Sequence, residues 1–193
     1  MSQLAQLRYN NEELEEEFGF EDEQDEPEVV KFNIKQISEI VVYGTDWTTE
    51  TILNQLTRGN IDLNPRFQRR DAWNIKRKSR FIESLILGLP IPGIVLAEKK
   101  KGNYLVLDGK QRLLTILQFY NKSESDNNNF KLRELQLLSD LNGLKWQDFQ
   151  ISHLEHLNAL DNQTIRTTII RNWDSEDFLY RVFLRLNRPL AKL

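Results

Sequence analysis

The residues best suited to chemistry in this chain fall in one short run, YLVLDGKQRLLTIL, which spans residues 104–117. Its first half alternates like a buried strand, and after Asp108-Gly109 the apolar spacing changes to that of a helix. Gly109 can adopt backbone angles closed to other residues and lets a ligand approach the main chain. A helix starting there presents unpaired N–H groups and the positive end of its dipole, a natural seat for an anion. Arg112 adds a planar fork of donors matched to phosphate. Asp108, at the strand end, has the chemistry to hold a metal or orient a water, and Gln111 offers an amide to a base, a sugar or an attacking water. The same spacing also fits a plain tight turn with Asp108 as helix cap and Arg112 solvated. Spacing alone does not choose between the two.

A second run, NPRFQRRDAW, precedes a basic stretch. Residues 58–80 hold eight Lys or Arg against two acids, Asp62 and Asp71. Phe67 and Trp73 interleave with Arg66, Arg70, Lys76, Arg77, Lys78 and Arg80, a pattern that suits phosphate contacts combined with stacking on bases. A solvated helix face with two core aromatics is the plainer alternative. Near the end, FLRLNR reads by spacing as an amphipathic helix with Asn187 at its C-cap.

Other chemistries find little support. There is no cysteine, which excludes a disulfide scaffold, a thiol nucleophile and a cysteine–zinc site. His153 and His156 lie three apart without an H-E-x-x-H pattern, so a metal pair is not expected. No G-x-x-x-x-G-K-[ST] run occurs, so nucleotide chemistry here is not of the P-loop kind. No local signature supports a serine–histidine triad.

The elements that must position these residues follow from periodicity and caps. Lys31 to Tyr43 suggests a short strand or extended entry. Thr48 caps a helix running to Arg58, with Ile52, Leu53 and Leu56 on its apolar face and Gly59 as its stop. Pro65 interrupts regular helix in the segment that follows. Asn74 caps a second helix ending at Gly88, with Ile75, Phe81, Ile82, Leu85 and Ile86 on one side and Lys76, Arg77, Lys78 and Arg80 over much of the rest. LPIPGIVLAE reads as a turn feeding a buried strand, KKKGN as a hairpin tip and YLVLD as the return strand. Asn121 to Asn129 is a polar loop, residues 130–163 are expected to be mostly helical, and Gln163 to Arg171 is a strand. Asp174, with Asp177 three residues on, suggests a capping box opening a last helix. Helices with few strands predict an α+β domain.

The chain has 193 residues, 39% of them hydrophobic and 28% charged, enough for one folded domain with a well-solvated surface. No apolar run reaches the eighteen or so residues of a membrane span, and the N-terminus lacks a secretory pattern, so a cytoplasmic protein without membrane contact is expected. The net charge of −3 conceals an asymmetry. Residues 1–30 hold eleven acids and one base, while residues 31–193 hold eighteen acids and twenty-five bases. The division expected is an acidic, solvated arm over 1–30 and a basic folded body over 31–193. A competing reading makes the arm an intramolecular nucleic-acid mimic.

Taken together and in this order, the segments resemble the DGQQR family, the N-terminal domain of GmrSD-type modification-dependent restriction enzymes and related anti-phage proteins. NPRFQRRDAW matches its proline and Gln-Arg segment. Gly88-Leu89-Pro90-Ile91-Pro92 matches its G-x-P-I-P turn, VLDGKQRLLTI its IDGQQRLTTL signature, and VFLRLN its closing F-x-x-L-N helix. The resemblance covers roughly Asn60 to Leu193 and implies a ParB/sulfiredoxin-like core. It implies nucleoside triphosphate binding and hydrolysis with magnesium, coupled to an HNH nuclease in the same or a partner chain. Carried over position by position, Gln68, Arg69, Gly109 and Asn187 would bind nucleotide, and Asp108, Gln111 and Arg112 would be catalytic, with Asp108 also holding metal; Lys110, which departs from the signature, would add a phosphate contact to the nucleotide set. DNA through Arg66, Arg70, Lys76, Arg77, Lys78 and Arg80, and an oligomeric assembly, complete the expected partners. A non-catalytic ParB-like DNA-binding or regulatory module is the alternative. Two departures bear on hydrolysis: Lys110 replaces the first glutamine of the signature, and Arg188-Pro189 replaces a small glycine-containing stretch after Asn187. With no HNH pattern in these residues, the chain alone is not expected to cut DNA.

Overall fold

The computed structural model describes residues 39–63, 72–123 and 128–186. The acidic arm, the run from Asn64 to Asp71 that carries Arg66, Gln68, Arg69 and Arg70, and the end of the chain with Asn187 lie outside them. Among the described residues the chain runs β1 (Val41–Thr48), α1 (Thr49–Thr57), β2 (Ile61–Asp62), α2 (Ile75–Ile86), β3 (Ile94–Lys100), β4 (Asn103–Asp108) and α3 (Lys110–Phe119). A 3₁₀ turn (Ser139–Leu141), α4 (Trp146–Ser152), α5 (Leu154–Asn162), β5 (Thr164–Arg171) and α6 (Glu176–Leu186) follow. The architecture is α+β, as expected.

Five strands form one mixed sheet in the order β1-β5-β3-β4-β2. β1 pairs antiparallel with β5, β5 parallel with β3, β3 antiparallel with β4, and β4 parallel with β2. Side chains alternate between the two faces of a strand, and both faces here are covered. Val106 of β4, Leu96 of β3 and Ile169 of β5 join Ile52, Ile82, Leu85, Leu113, Ile116 and Phe119 in the main core. Leu105 and Leu107 of β4, Ala97 of β3 and Ile170 of β5 face the other way, against Phe178 and Leu179 of α6.

The expected caps explain most helix starts. Thr48 Oγ1 accepts the N–H of Thr51 at 3.1 Å and Asn74 Oδ1 that of Arg77 at 2.9 Å, each satisfying a donor that the first turn leaves open. At α6 the cap differs from expectation. Ser175 Oγ accepts the N–H of Phe178 at 3.2 Å, while Asp177 pairs with Arg181 at 2.9 Å. The hydroxyl one residue later fits the start of the helix better than Asp174 does.

Residues 130–145 depart from the helical expectation, having one 3₁₀ turn and otherwise extended or turning backbone. Glu83 accounts for this. Buried on α2, its carboxylate accepts the N–H groups of Gln136, Leu137 and Leu138 at 3.2, 2.7 and 2.8 Å. Leu132 and Leu144 bond through their backbones at 2.8 Å. Donors satisfied from outside the segment do not need a helical ladder. Behind α3, Tyr120 donates to Asp161 Oδ1 at 2.5 Å. Burial, and then the proximity of Asp161, pushes the Tyr120 phenol far above its ordinary range, so it stays a donor.

Candidate functional site

β4 ends at Asp108, and Gly109 turns the chain into α3 with φ 91° and ψ 13°. This is the left-handed region that glycine enters without cost. A Cβ at Gly109 would stand 2.5 Å from Ile94 Cγ2, so the position is closed to a side chain by packing as well as by φ. Gly109 is itself the N-cap, and no side-chain hydrogen bond closes that end of α3. Asp108 is therefore not the helix cap.

Asp108 instead faces Arg112. Arg112 Nη2 donates to Asp108 Oδ2 at 2.9 Å, one helical turn along. The Arg112 side chain is 12% exposed and that of Asp108 35%, so the pair sits at the rim of the turn with the carboxylate the more open partner. Such charge-assisted pairs hold a guanidinium in a fixed plane. Lys110, at the first position of α3, is buried to 8% exposure.

Gln111 has a role that no spacing rule announces. Its Oε1 accepts two backbone N–H groups from the segment leading into α2, that of Ala72 at 3.0 Å and that of Trp73 at 3.3 Å. The end of the basic segment is thereby tied to the first turn of α3. Trp73 packs edge-on against Phe81 with ring centroids 5.7 Å apart, and the Arg77 guanidinium lies 4.6 Å above the Trp73 ring.

The described part of the basic face is less available than its sequence suggests. Lys78 is fully buried, which removes it from the solvent-facing set proposed for DNA. Its position on α2 turns it inward beside Phe81, Ile82 and Leu85. Lys76 pairs with Glu134 at 3.1 Å, and Arg80 Nε donates to the Glu134 carbonyl at 3.4 Å. Arg77 is engaged with Trp73.

Among the described residues, no three His, Cys, Asp or Glu come together as a metal cluster. His153 and His156 meet edge-on, their ring centroids 6.1 Å apart. Asp108 has the chemistry to give one carboxylate oxygen to a magnesium ion brought in on phosphates. Magnesium commonly takes only one or two protein carboxylates in this way. No helix among the described residues is long and apolar enough to cross a membrane.

Sequence reasoning named Asp108, Gly109, Gln111 and Arg112, which the structure brings to one turn, but gave no place to Ile94, whose side chain closes the glycine position from the neighbouring strand. It also missed the backbone of Ala72 and Trp73 as the partner of Gln111. Neither has a signal in the local spacing, because both are contacts between distant parts of the chain.

An α+β domain whose strand–glycine–helix turn carries an aspartate–arginine pair defines the class. The family model for the GmrSD restriction endonuclease N-terminal domain matches residues 49–193, and the chain belongs to that family. This makes it a component of a restriction or defence system. No curated protein and no solved structure matches it.

Proposed function

We propose that the turn from Asp108 to Arg112 binds the phosphates of a nucleoside triphosphate, and that this domain thereby controls an effector nuclease carried elsewhere. The observation supporting this is Gly109 at φ 91°, packed on Ile94, heading a helix that no side chain caps. The first-turn N–H groups of α3, left without a side-chain cap, are the donors that an anion takes at a helix start. Arg112, oriented by Asp108, supplies a fork of donors, and Lys110 adds positive charge at the first position of the helix. Gln68, Arg69 and Asn187 complete the nucleotide set through the family resemblance. Magnesium accompanying the phosphates would neutralise their charge, with Asp108 as its protein ligand.

A second reading, binding without turnover, is favoured by the hydrogen bonds within the site. Asp108 Oδ2 is held by Arg112, and the Gln111 carbonyl is held by two backbone donors. Neither atom stands ready to orient a water. DNA contact through Arg66, Arg70, Lys76, Arg77 and Arg80 belongs to the same proposal, without Lys78.

A panel of nucleoside triphosphates, titrated calorimetrically and assayed for phosphate release with and without DNA and magnesium, tests both readings. Saturable binding of at least one nucleotide is expected. Binding with phosphate release supports hydrolysis, and binding alone supports the second reading. A panel in which no nucleotide binds overturns the assignment of the turn.

A further inference from the structure

At the end of the sheet opposite the Gly109 turn lies a depression of about 320 Å³, lined by Glu98, Lys99, Lys100, Lys101, Arg171, Asn172 and Trp173. The register fixes its distance from the turn. Val95 of β3 is paired with Asp108, whereas Lys100 is paired with Asn103. Five residues of strand separate the two ends, roughly 17 Å at about 3.3 Å per residue. A single ligand the size of a nucleotide phosphate group does not reach both.

Four cations line the depression against one carboxylate. That carboxylate is already committed: Glu98 is ion-paired with Arg171, its side chain 9% exposed, and its Oε1 accepts the N–H of Gly102 at 3.1 Å. Trp173 Nε1 donates to the Glu98 carbonyl at 2.8 Å, and the Arg171 guanidinium lies 4.6 Å over the Tyr43 ring. Asp174 and Glu176 are outside the lining. Lys99, Lys100 and Lys101 are all exposed, and none forms an ion pair with another described residue.

A charged tip that served only solubility would need no such framework. Here a buried carboxylate, an arginine and an indole fix the hairpin backbone, so three lysines are held out from a rigid base. Adjacent ammonium groups with no counter-charge paired to them among the described residues repel each other, and that repulsion is relieved by a partner carrying regularly spaced negative charge. From this geometry we infer that the Lys99–Lys101 hairpin tip is a contact surface for the phosphodiester backbone of a nucleic acid, separate from the Gly109 turn. The contact is electrostatic and independent of base sequence, because lysine on a flexible stem meets phosphates as a point charge.

The test uses the full chain and a fluorescein-labelled DNA duplex of arbitrary sequence, followed by anisotropy over a salt series. The variants are K99S/K100S/K101S and, separately, Lys100→Glu, each checked for an unchanged melting temperature. Wild type is expected to bind with an affinity that falls steeply with salt. The triple variant should bind at least about tenfold more weakly at 50 mM salt, its log–log salt slope shallower by roughly 0.9 for each lysine engaged. Lys100→Glu should weaken binding further than loss of one contact predicts. Nucleotide binding should be the same in all three proteins, which separates failure here from failure of the turn. Equal affinity and slope in wild type and triple variant overturn the inference. So does a wild type that binds no duplex, or a triple variant that loses nucleotide binding as well.

Discussion

Gln111 Oε1 accepts the backbone N–H of Ala72 at 3.0 Å across 39 residues of sequence, and that of its neighbour Trp73 at 3.3 Å. One side chain in the first turn of α3 therefore sets where the basic segment ends and α2 begins. Gln111→Leu, which keeps the bulk and removes the one oxygen that accepts both bonds, should destabilise the domain by about 1–3 kcal/mol. It should also raise hydrogen exchange at Ala72 and Trp73. Gln111→Glu keeps an acceptor oxygen at that position and should restore protection at those amides. Equal exchange in wild type and the leucine variant would remove the tether.

Arg112→Ala should weaken nucleotide binding while leaving the fold intact. Charge-assisted contacts of this kind contribute about 1.5–3 kcal/mol each, so affinity should fall at least roughly tenfold. Calorimetric titration of wild type and variant at matched thermal stability decides it, and equal affinities would release Arg112 from the site.

Gly109→Val acts through backbone and packing rather than charge. Left-handed angles cost a non-glycine residue about 1–3 kcal/mol, and a β-branched side chain is worse placed than most. Its Cβ also meets Ile94 Cγ2 at 2.5 Å, a collision of the overpacking kind that adds about 1–3 kcal/mol. Urea denaturation should show a loss near the sum of the two. In an Ile94→Ala background, which removes Cγ2, the valine should cost less than in wild type but still carry the backbone cost, and a valine that costs nothing there relative to Ile94→Ala alone would mean that φ is not strained.

Asp108→Asn separates binding from hydrolysis. The change keeps size and a hydrogen-bond acceptor for Arg112 but removes the charge that would hold magnesium. If wild type releases phosphate, the variant should release it at least tenfold more slowly with nucleotide affinity less affected. Equal release rates would take Asp108 out of any metal or base role.

Much of this fold was legible because its signals are local. Thr48 and Asn74 announce their helices by the oxygen that each presents to the third residue on. Asp108-Gly109 marks the turn because the apolar period changes there, and Lys99 to Asn103 marks a hairpin by polarity and glycine. The misreadings came from long-range contacts. Residues 130–145 carry enough leucine to suggest a helix, but Glu83 engages their N–H groups from α2. Lys78 looked solvated because its neighbours are charged, yet the orientation of α2 buries it completely. In the site, residue types revealed the turn itself, while the Arg112–Asp108 pairing and the tether from Gln111 depend on how elements meet.

The pairing of Val41 with Arg171 has a consequence for the order of events at the surface. The chain enters the sheet at the same end as the lysine hairpin, two strand spacings away or roughly 10 Å. Residues 1–30, with their eleven acids and one base, are thus joined to the sheet through the strand end that lies beside the cationic hairpin. A leash of this kind holds its cargo at a local concentration near the millimolar range, against which any free polyanion must compete. Removing residues 1–30 should accordingly tighten duplex binding at low salt, lose that advantage as the Debye length shrinks to about 8 Å at 0.15 M, and leave nucleotide affinity untouched. Anisotropy and calorimetry on the shortened and full chains read the two ends independently, and an equal gain at both would mean that the leash acts through overall charge instead of position.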